Sequence, residues 1–161
     1  MISFTLQQAR FNYRVAGICI EDGHVLLNRL EEDPSFWFLP GGRVEMMETA
    51  EVALRREILE ELGLNGNLEI KRLLWVNENF WISSQGERYH EIGFYYQMAF
   101  ADDHPYVDKR KPFQGCETTV NLTFQWMPLE RLETITLQPA FLKTGLRNLP
   151  ASIQHIVEHD Y

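Results

Sequence analysis

The stretch between Gly42 and Gly63 restricts most narrowly what this chain can build. From Thr49 to Leu62 nothing breaks a helix, and Gly63 supplies a stop. Thr49 is a suitable N-cap, its hydroxyl accepting from an otherwise unpaired amide of the first turn. At about 100° per residue, Val52, Ile58, Leu59 and Leu62 fall within roughly 120° of arc and read as the core-facing stripe. Glu57, Glu60 and Glu61 occupy another arc, about 100° wide and nearly opposite. Ala50 and Ala53 lie on or beside that acidic arc, so little bulk stands over it. Glu51 and Arg55 project toward the apolar side.

Those glutamates are badly placed for helix stability. Glu57 and Glu61 form an i,i+4 like-charge pair, which costs on the order of 0.2–0.5 kcal/mol. They crowd the last turns, where the macrodipole favours cations, and Arg56 answers only part of the charge. Local rules broken without visible compensation point to function. Two readings fit: a solvated acidic helix end, or a site for a divalent cation. Hard carboxylate oxygens on adjacent helix turns suit Mg²⁺ or Mn²⁺, and the cation would remove the repulsion.

Around the helix, the chain reads as a mixed α and β domain. Val15–Ile20 and Val25–Leu30 look like strands joined through Glu21-Asp22-Gly23-His24, with Asp-Gly as the hairpin signal. Pro40-Gly41-Gly42 breaks the short apolar run Phe36–Leu39. A strand is expected near Leu68–Val76. Tyr89–Phe100 alternates, with Ile92, Phe94, Tyr96 and Met98 on one face and Glu91, Gly93, Tyr95 and Gln97 on the other. Residues 101–119 read as loop, Leu122–Met127 as strand and Pro128 as the start of a helical turn. Pro139 opens a final helix to about Leu149. Few helices among strands in mixed order indicate an α+β, mixed-sheet sandwich. The length, 161 residues, suits one domain over 1–161.

The segment from Gly42 has a wider pattern. After Gly42 come five residues, Glu48, seven more, and then Arg56-Glu57-Ile58-Leu59-Glu60-Glu61-Leu62-Gly63-Leu64. This resembles the Nudix box, G-x5-E-x7-R-E-U-x-E-E-x-G-U with U bulky and aliphatic, at every specified position. Leu39-Pro40-Gly41-Gly42 leading into it and Trp126-Met127-Pro128-Leu129 near the end extend the resemblance more loosely. It implies a Nudix-type α/β/α sandwich with a loop-helix-loop on a mixed sheet. The implied activity is Mg²⁺- or Mn²⁺-dependent hydrolysis of a nucleoside diphosphate linked to another moiety. In that reading Glu57, Glu60 and Glu61 hold the cation, and the Gly42 carbonyl can add a ligand. Arg56 orients the carboxylates, and Glu48 either braces the loop against the helix or reaches the metal through water. The base is assigned to Glu60 in preference to Glu57.

The overall charge bears on the partners. With 15 Lys+Arg against 23 Asp+Glu the formal net charge is -8, which repels nucleic-acid backbones and anionic membranes. A small polyphosphate remains acceptable if a cation lies between the two anions. Cys19 and Cys116 have no ligand spacing and read as free thiols of a reducing compartment. MISFTLQQARFNYR has no basic segment followed by an apolar one, as a signal peptide requires. The uncharged apolar run Val15–Ile20 is far short of the ~20 residues of a membrane span. A cytoplasmic protein is therefore expected, and similar proteins frequently form homodimers.

Substrate choice must come from outside the box. Phe36, Trp37, Phe80 and Trp81 are candidates to stack on a base, and Arg88 is a candidate phosphate contact. For each aromatic taken singly packing is the stronger reading, and a lone arginine near a loop is more often solvated. Members of the resembled family often add one distal acidic residue, for which Glu91 and Glu117 are the candidates. The alternative function is a non-catalytic Nudix-fold module that senses a nucleotide. The complete glutamate set argues for hydrolysis, because a sensor need not keep a rate-accelerating cluster.

Overall fold

Residues 1–64 and 68–161 are described by a computed structural model. Among them the strands are β1 (Ser3–Leu6), β2 (Ala9–Ile18), β3 (Ile20–Glu21), β4 (His24–Leu30), β5 (Gly41–Arg43), β6 (Leu68–Ile82), β7 (Arg88–Phe100), β8 (Phe113–Gln114), β9 (Leu122–Pro128) and β10 (Gln154–Asp160). The helices are α1 (Ala50–Leu62) and the single turn α2 (Leu142–Gly145), with a 3-10 segment at Leu129–Thr134. One sheet runs β1-β2-β7-β6-β10, and β5 also pairs with β2. Within it β2–β7 and β6–β10 are parallel and the other pairs antiparallel. The second sheet, β3-β4-β9-β8, is antiparallel. The α+β mixed-sheet expectation is met. No helix among the described residues is long and apolar enough to cross a membrane.

The turn chemistry explains the β3–β4 hairpin. Asp22 and Gly23 both have positive φ (50° and 72°), and Glu21 pairs with His24 across them. The long β6–β7 hairpin closes on Ser83, whose hydroxyl accepts from the amides of Gln85 and Glu87. Its backbone amide donates to the Glu87 carbonyl at 2.8 Å. β6 therefore extends six residues past the expected Val76, and carries Phe80 and Trp81 on a strand.

Both faces of the main sheet are buried. Val15, Tyr96 and Met98 pack with α1, Leu26, Phe124 and Trp126 in one core. Ala16, Ile18, Trp75 and Tyr95 pack with Leu27, Trp37, Met127 and Leu142 in the other. The alternation read along Tyr89–Phe100 is present, but Tyr95, on its polar side, is core.

Thr49 caps α1 as expected, its Oγ1 accepting from the Val52 amide at 3.3 Å. Gly63 closes it at φ 67°, donating to the Leu59 carbonyl. The inward face is different from the one the apolar residues suggested. Ala50, Ala53, Leu54, Ile58, Glu61 and Leu62 are buried, while Val52 and Leu59 are 53% and 44% exposed. The two alanines let the helix approach β2 and β5, and that close approach sets the rotation. It carries Glu61 inside.

Near the C-terminus one expectation is corrected and one strand was not anticipated. α2 ends at Gly145, well before Leu149, and Gln154–Asp160 adds an edge strand parallel to β6. Its exposed polar residues, Gln154, His155, His159 and Asp160, concealed it, because an edge strand with solvated sides lacks the apolar alternation of an interior strand.

Candidate active site

Strand β5 places the glycine pair directly beneath α1, with Val15 opposite Gly42 and Ala16 opposite Gly41. Gly41 adopts φ 153°, and a Cβ there would run into the Val15 carbonyl. A Cβ on Gly42 would overlap the carboxylate of Glu57. The missing side chain is what allows Glu57 to lie against the β5 backbone.

Arg56 ties the helix to the preceding loop. Its Nε and Nη2 donate to the two carboxylate oxygens of Glu48, each at 2.9 Å, a bidentate pair. Nη2 also donates to the Arg43 carbonyl at 3.1 Å, and Nη1 to Glu57 Oε1 at 2.8 Å. Nη1 is 3.6 Å from Glu60 Oε1. Glu48 Oε2 accepts in addition from the Glu45 amide at 2.9 Å. The Arg56 hydrogen bonds hold the Glu48 carboxyl below its ordinary range. Arg56 thus links Glu48 and the Arg43 carbonyl, both ahead of the helix, to Glu57 on it.

The three glutamates have unlike surroundings. Burial pushes the Glu57 carboxyl upward, against the opposing pull of Arg56. Glu61 is 4% exposed, and burial pushes it up to about 8. Its Oε2 has no hydrogen-bond partner. The nearest charges raise it further (Glu57 and Glu117) or lower it (Arg14). The Glu60 side chain, by contrast, is 45% exposed. All three, with Gly42, Arg14 and Glu117, line one cavity of about 450 Å³.

The residues fit a divalent cation. Among the described residues no three His, Cys, Asp or Glu side chains stand together closely enough to hold a metal ion unaided. The donors are hard oxygens, they repel each other without a counter-charge, and one buried oxygen is unpartnered. Mg²⁺ tolerates such an open arrangement because it keeps several waters or substrate oxygens.

A second cavity, of about 480 Å³, lies beyond Arg14 and Phe38, which border both. Phe36 and Trp81 line it, and the Trp81 ring stacks on Tyr89 with centroids 4.7 Å apart. Trp37 does not reach it. That indole is buried in the core with the Arg29 guanidinium 4.6 Å from its ring, so its role is packing. Phe80 lies on the opposite face of the sheet, stacked between His90 and His159. Arg88 is exposed at the start of β7 and borders neither cavity. The two distal acids part company as well: Glu117 joins the glutamate cavity, and Glu91 joins the second one. Arg14, Asn79 and Asp160 are lining residues that the sequence did not single out. Only strand pairing brings them in, and no local signal marks them.

The NUDIX domain family model matches residues 11–149 of this chain. Nucleoside triphosphatase NudI of Klebsiella pneumoniae (strain 342) is 52% identical over 46 residues, 26% of this chain and 33% of that protein. Diphosphoinositol polyphosphate phosphohydrolase 2 of Rattus norvegicus is 37% identical over 78 residues, 47% of this chain and 42% of that protein. The chain thus spans less than half the length of either curated relative. The crystal structure of a MutT protein from Bacillus halodurans superposes with a TM-score of 0.61, covering 92% of this chain and 89% of that one. At 16% identity this is a likeness of fold.

Proposed function

The chain belongs to the NUDIX family, and from that premise we propose that it is a Mg²⁺- or Mn²⁺-dependent pyrophosphohydrolase. Its substrate is a nucleoside di- or triphosphate derivative, cleaved at a phosphoanhydride to release a nucleoside monophosphate. The observation that carries this reading is the unpartnered buried oxygen of Glu61, in one cavity with Glu57, Glu60 and Glu117. Arg56 answers only part of the charge of this cluster, and a bound cation would relieve the repulsion that is left.

A divalent cation would supply neutralisation of the phosphate oxygens and a lowered pKa for the attacking water. Glu57, Glu61 and Glu117 are the residues to hold it, with the Gly42 carbonyl beside them. Glu60 suits the general base, since its half-exposed carboxylate can accept a proton at an oxygen that faces solvent. Glu57 suits that task less, because Arg56 Nη1 already holds its Oε1. Arg56, fixed by Glu48 and the Arg43 carbonyl, keeps the carboxylates aimed. Arg14, at the junction of the two cavities, suits charge on the phosphate chain. The two relatives carry names for a nucleoside triphosphate and for a diphosphoinositol polyphosphate. That contrast supports a shared phosphoanhydride chemistry with specificity set elsewhere.

The test is a product screen over nucleoside triphosphates, nucleotide sugars and dinucleotides with Mg²⁺ or Mn²⁺ in ¹⁸O-labelled water. Label in a nucleoside monophosphate or in its leaving phosphate is the expected result. Turnover confined to phosphomonoesters would overturn the reading. Binding without turnover would favour the sensing module.

A further inference from the structure

The floor of the second cavity is a row of the main sheet. Glu91 on β7 stands opposite Asn12 on β2 and Asn79 on β6. Further along the same face this sheet presents Ala16, Tyr95 and Trp75, which are core. A carboxylate so near the core is costly unless something uses it. Burial pushes the Glu91 carboxyl upward, and Arg14 and Asn12 only partly offset that. Its hydrogen bond among the described residues is a long one, from Asn12 Nδ2 to Oε2 at 3.4 Å. Arg14 is not its partner, because the guanidinium donates to the Leu39 carbonyl at 3.3 Å.

The walls are flat and apolar, from Phe36, Phe38, Trp81 and Tyr95. The charged lining is mostly acidic: Asp33, Glu91 and Asp160, with Arg14 at the border nearest the glutamate cavity. Such a cavity repels phosphates, which Arg14 and the cation site would take instead. It accepts a flat ring whose edge donates hydrogen bonds. A carboxylate offers two parallel acceptor oxygens and is best matched by two adjacent N–H groups. Among the common bases guanine alone presents that pair, N1–H beside the 2-amino group. Hypoxanthine lacks the amino group. Adenine and cytosine place a single amino group beside an acceptor nitrogen, and uracil flanks its N–H with carbonyls that a carboxylate repels.

We propose that Glu91 is a specificity-determining residue that reads paired N–H donors, so that the second cavity selects a guanine-type base. The inference rests on the proposed nucleotide hydrolysis only in supplying the nucleotide whose phosphates occupy the neighbouring cavity. It gives Glu91 a role in recognition in place of the distal acidic role that the sequence suggested.

The test compares binding of GMP and IMP, which differ by the 2-amino group alone, to the whole protein by titration calorimetry with Mg²⁺ present. GMP is expected to bind at least tenfold more tightly in the wild type. Glu91→Gln turns one acceptor into a donor facing the 2-amino group, and should cut that ratio to near one by weakening GMP and sparing IMP. The wild-type ratio needs no variant, so poor folding of Glu91→Gln leaves the proposal open to refutation. Equal affinities for GMP and IMP, no binding of either, or tighter binding of phosphocholine than of GMP would overturn it. Turnover of GTP and ITP at equal kcat/KM would overturn it while sparing the hydrolase reading. Selective GMP binding without hydrolysis of any phosphoanhydride would support it while that reading failed.

Discussion

Gly42 and Glu57 share one volume: the position a Cβ would take on the glycine is occupied by the carboxylate of the glutamate. The first fixed letter of the motif and its first acidic helix residue are therefore a packing pair. Gly42→Ala should expel the Glu57 carboxylate while leaving the β5 pairing with β2 intact. The expected outcome is a fall in kcat of about 10²-fold, comparable to losing one electrostatic contact in a transition state. Steady-state kinetics with a circular dichroism control checks it. An alanine variant with wild-type turnover would show that the carboxylate can work from elsewhere.

Glu60→Gln should lower kcat by about 10²-fold or more with little change in Tm. The side chain is half exposed and its contact with Arg56 is long, at 3.6 Å, so little stability depends on it. Turnover near the wild-type value on the best substrate would remove Glu60 as the base. Glu57→Gln should also reduce kcat, by loss of a cation-holding oxygen, with the Arg56 contact to Oε1 retained.

Glu61→Gln should raise the melting temperature of the protein in EDTA. A buried carboxylate with one unpartnered oxygen is replaced by an uncharged group of the same shape. The same change should shrink the stabilisation that millimolar Mg²⁺ or Mn²⁺ gives the wild type, which follows from mass action on the folded state. Scanning fluorimetry in the two conditions reads both. A wild-type midpoint that does not move with metal would remove the cation site.

Arg56→Lys should behave as a loss. An ammonium cannot reproduce the two parallel contacts to Glu48 together with those to the Arg43 carbonyl and Glu57. Both kcat and Tm should fall, and Glu48→Gln should show much of the same effect on Tm. A double variant no less stable than the worse single one would confirm that the two act as a unit.

Glu21 provides a pH dependence away from the site. Burial pushes its carboxyl up, but hydrogen bonds from Lys109 and His104 outweigh that, and the net shift is downward. A carboxyl lowered in the folded state contributes stability above its unfolded pKa of roughly 4.3. That contribution is lost as pH falls through the lower folded value. The wild type should lose stability between about pH 5 and pH 3 more steeply than Glu21→Gln. Parallel slopes over that window would show that the loop 101–112 is not held by this carboxylate.

Much of the glutamate site was legible because it is local. Gly42, Glu48, Arg56, Glu57, Glu60 and Glu61 are all within 20 residues, and one turn, one cap and one helix place them. Which way the helix faces was not legible. Counting bulky apolar residues favoured Val52 and Leu59, whereas helix-to-sheet distance is set by the smallest residues, Ala50 and Ala53. Trp37 and Phe80 illustrate the same gap. Their aromatic faces suit a base, but one side chain fills the core and the other lies on the far face of the sheet.

By itself the chemistry of the chain determined the strand-rich mixed character, the capped helix and its acidic load, since each follows from backbone preference or spacing over a few residues. Tertiary structure alone decided that Glu61 is buried, that Glu117 meets the helix glutamates and that Glu91 does not. It also decided that Arg14 stands between the two cavities. The places of Arg14 and Glu91 depend on pairing β2 with both β5 and β7, contacts between residues about 25 and 80 positions apart, and Glu117 follows Cys116, whose amide donates to the Glu61 carbonyl. Register across such separations is chosen by the burial of whole faces, which no short window of sequence contains.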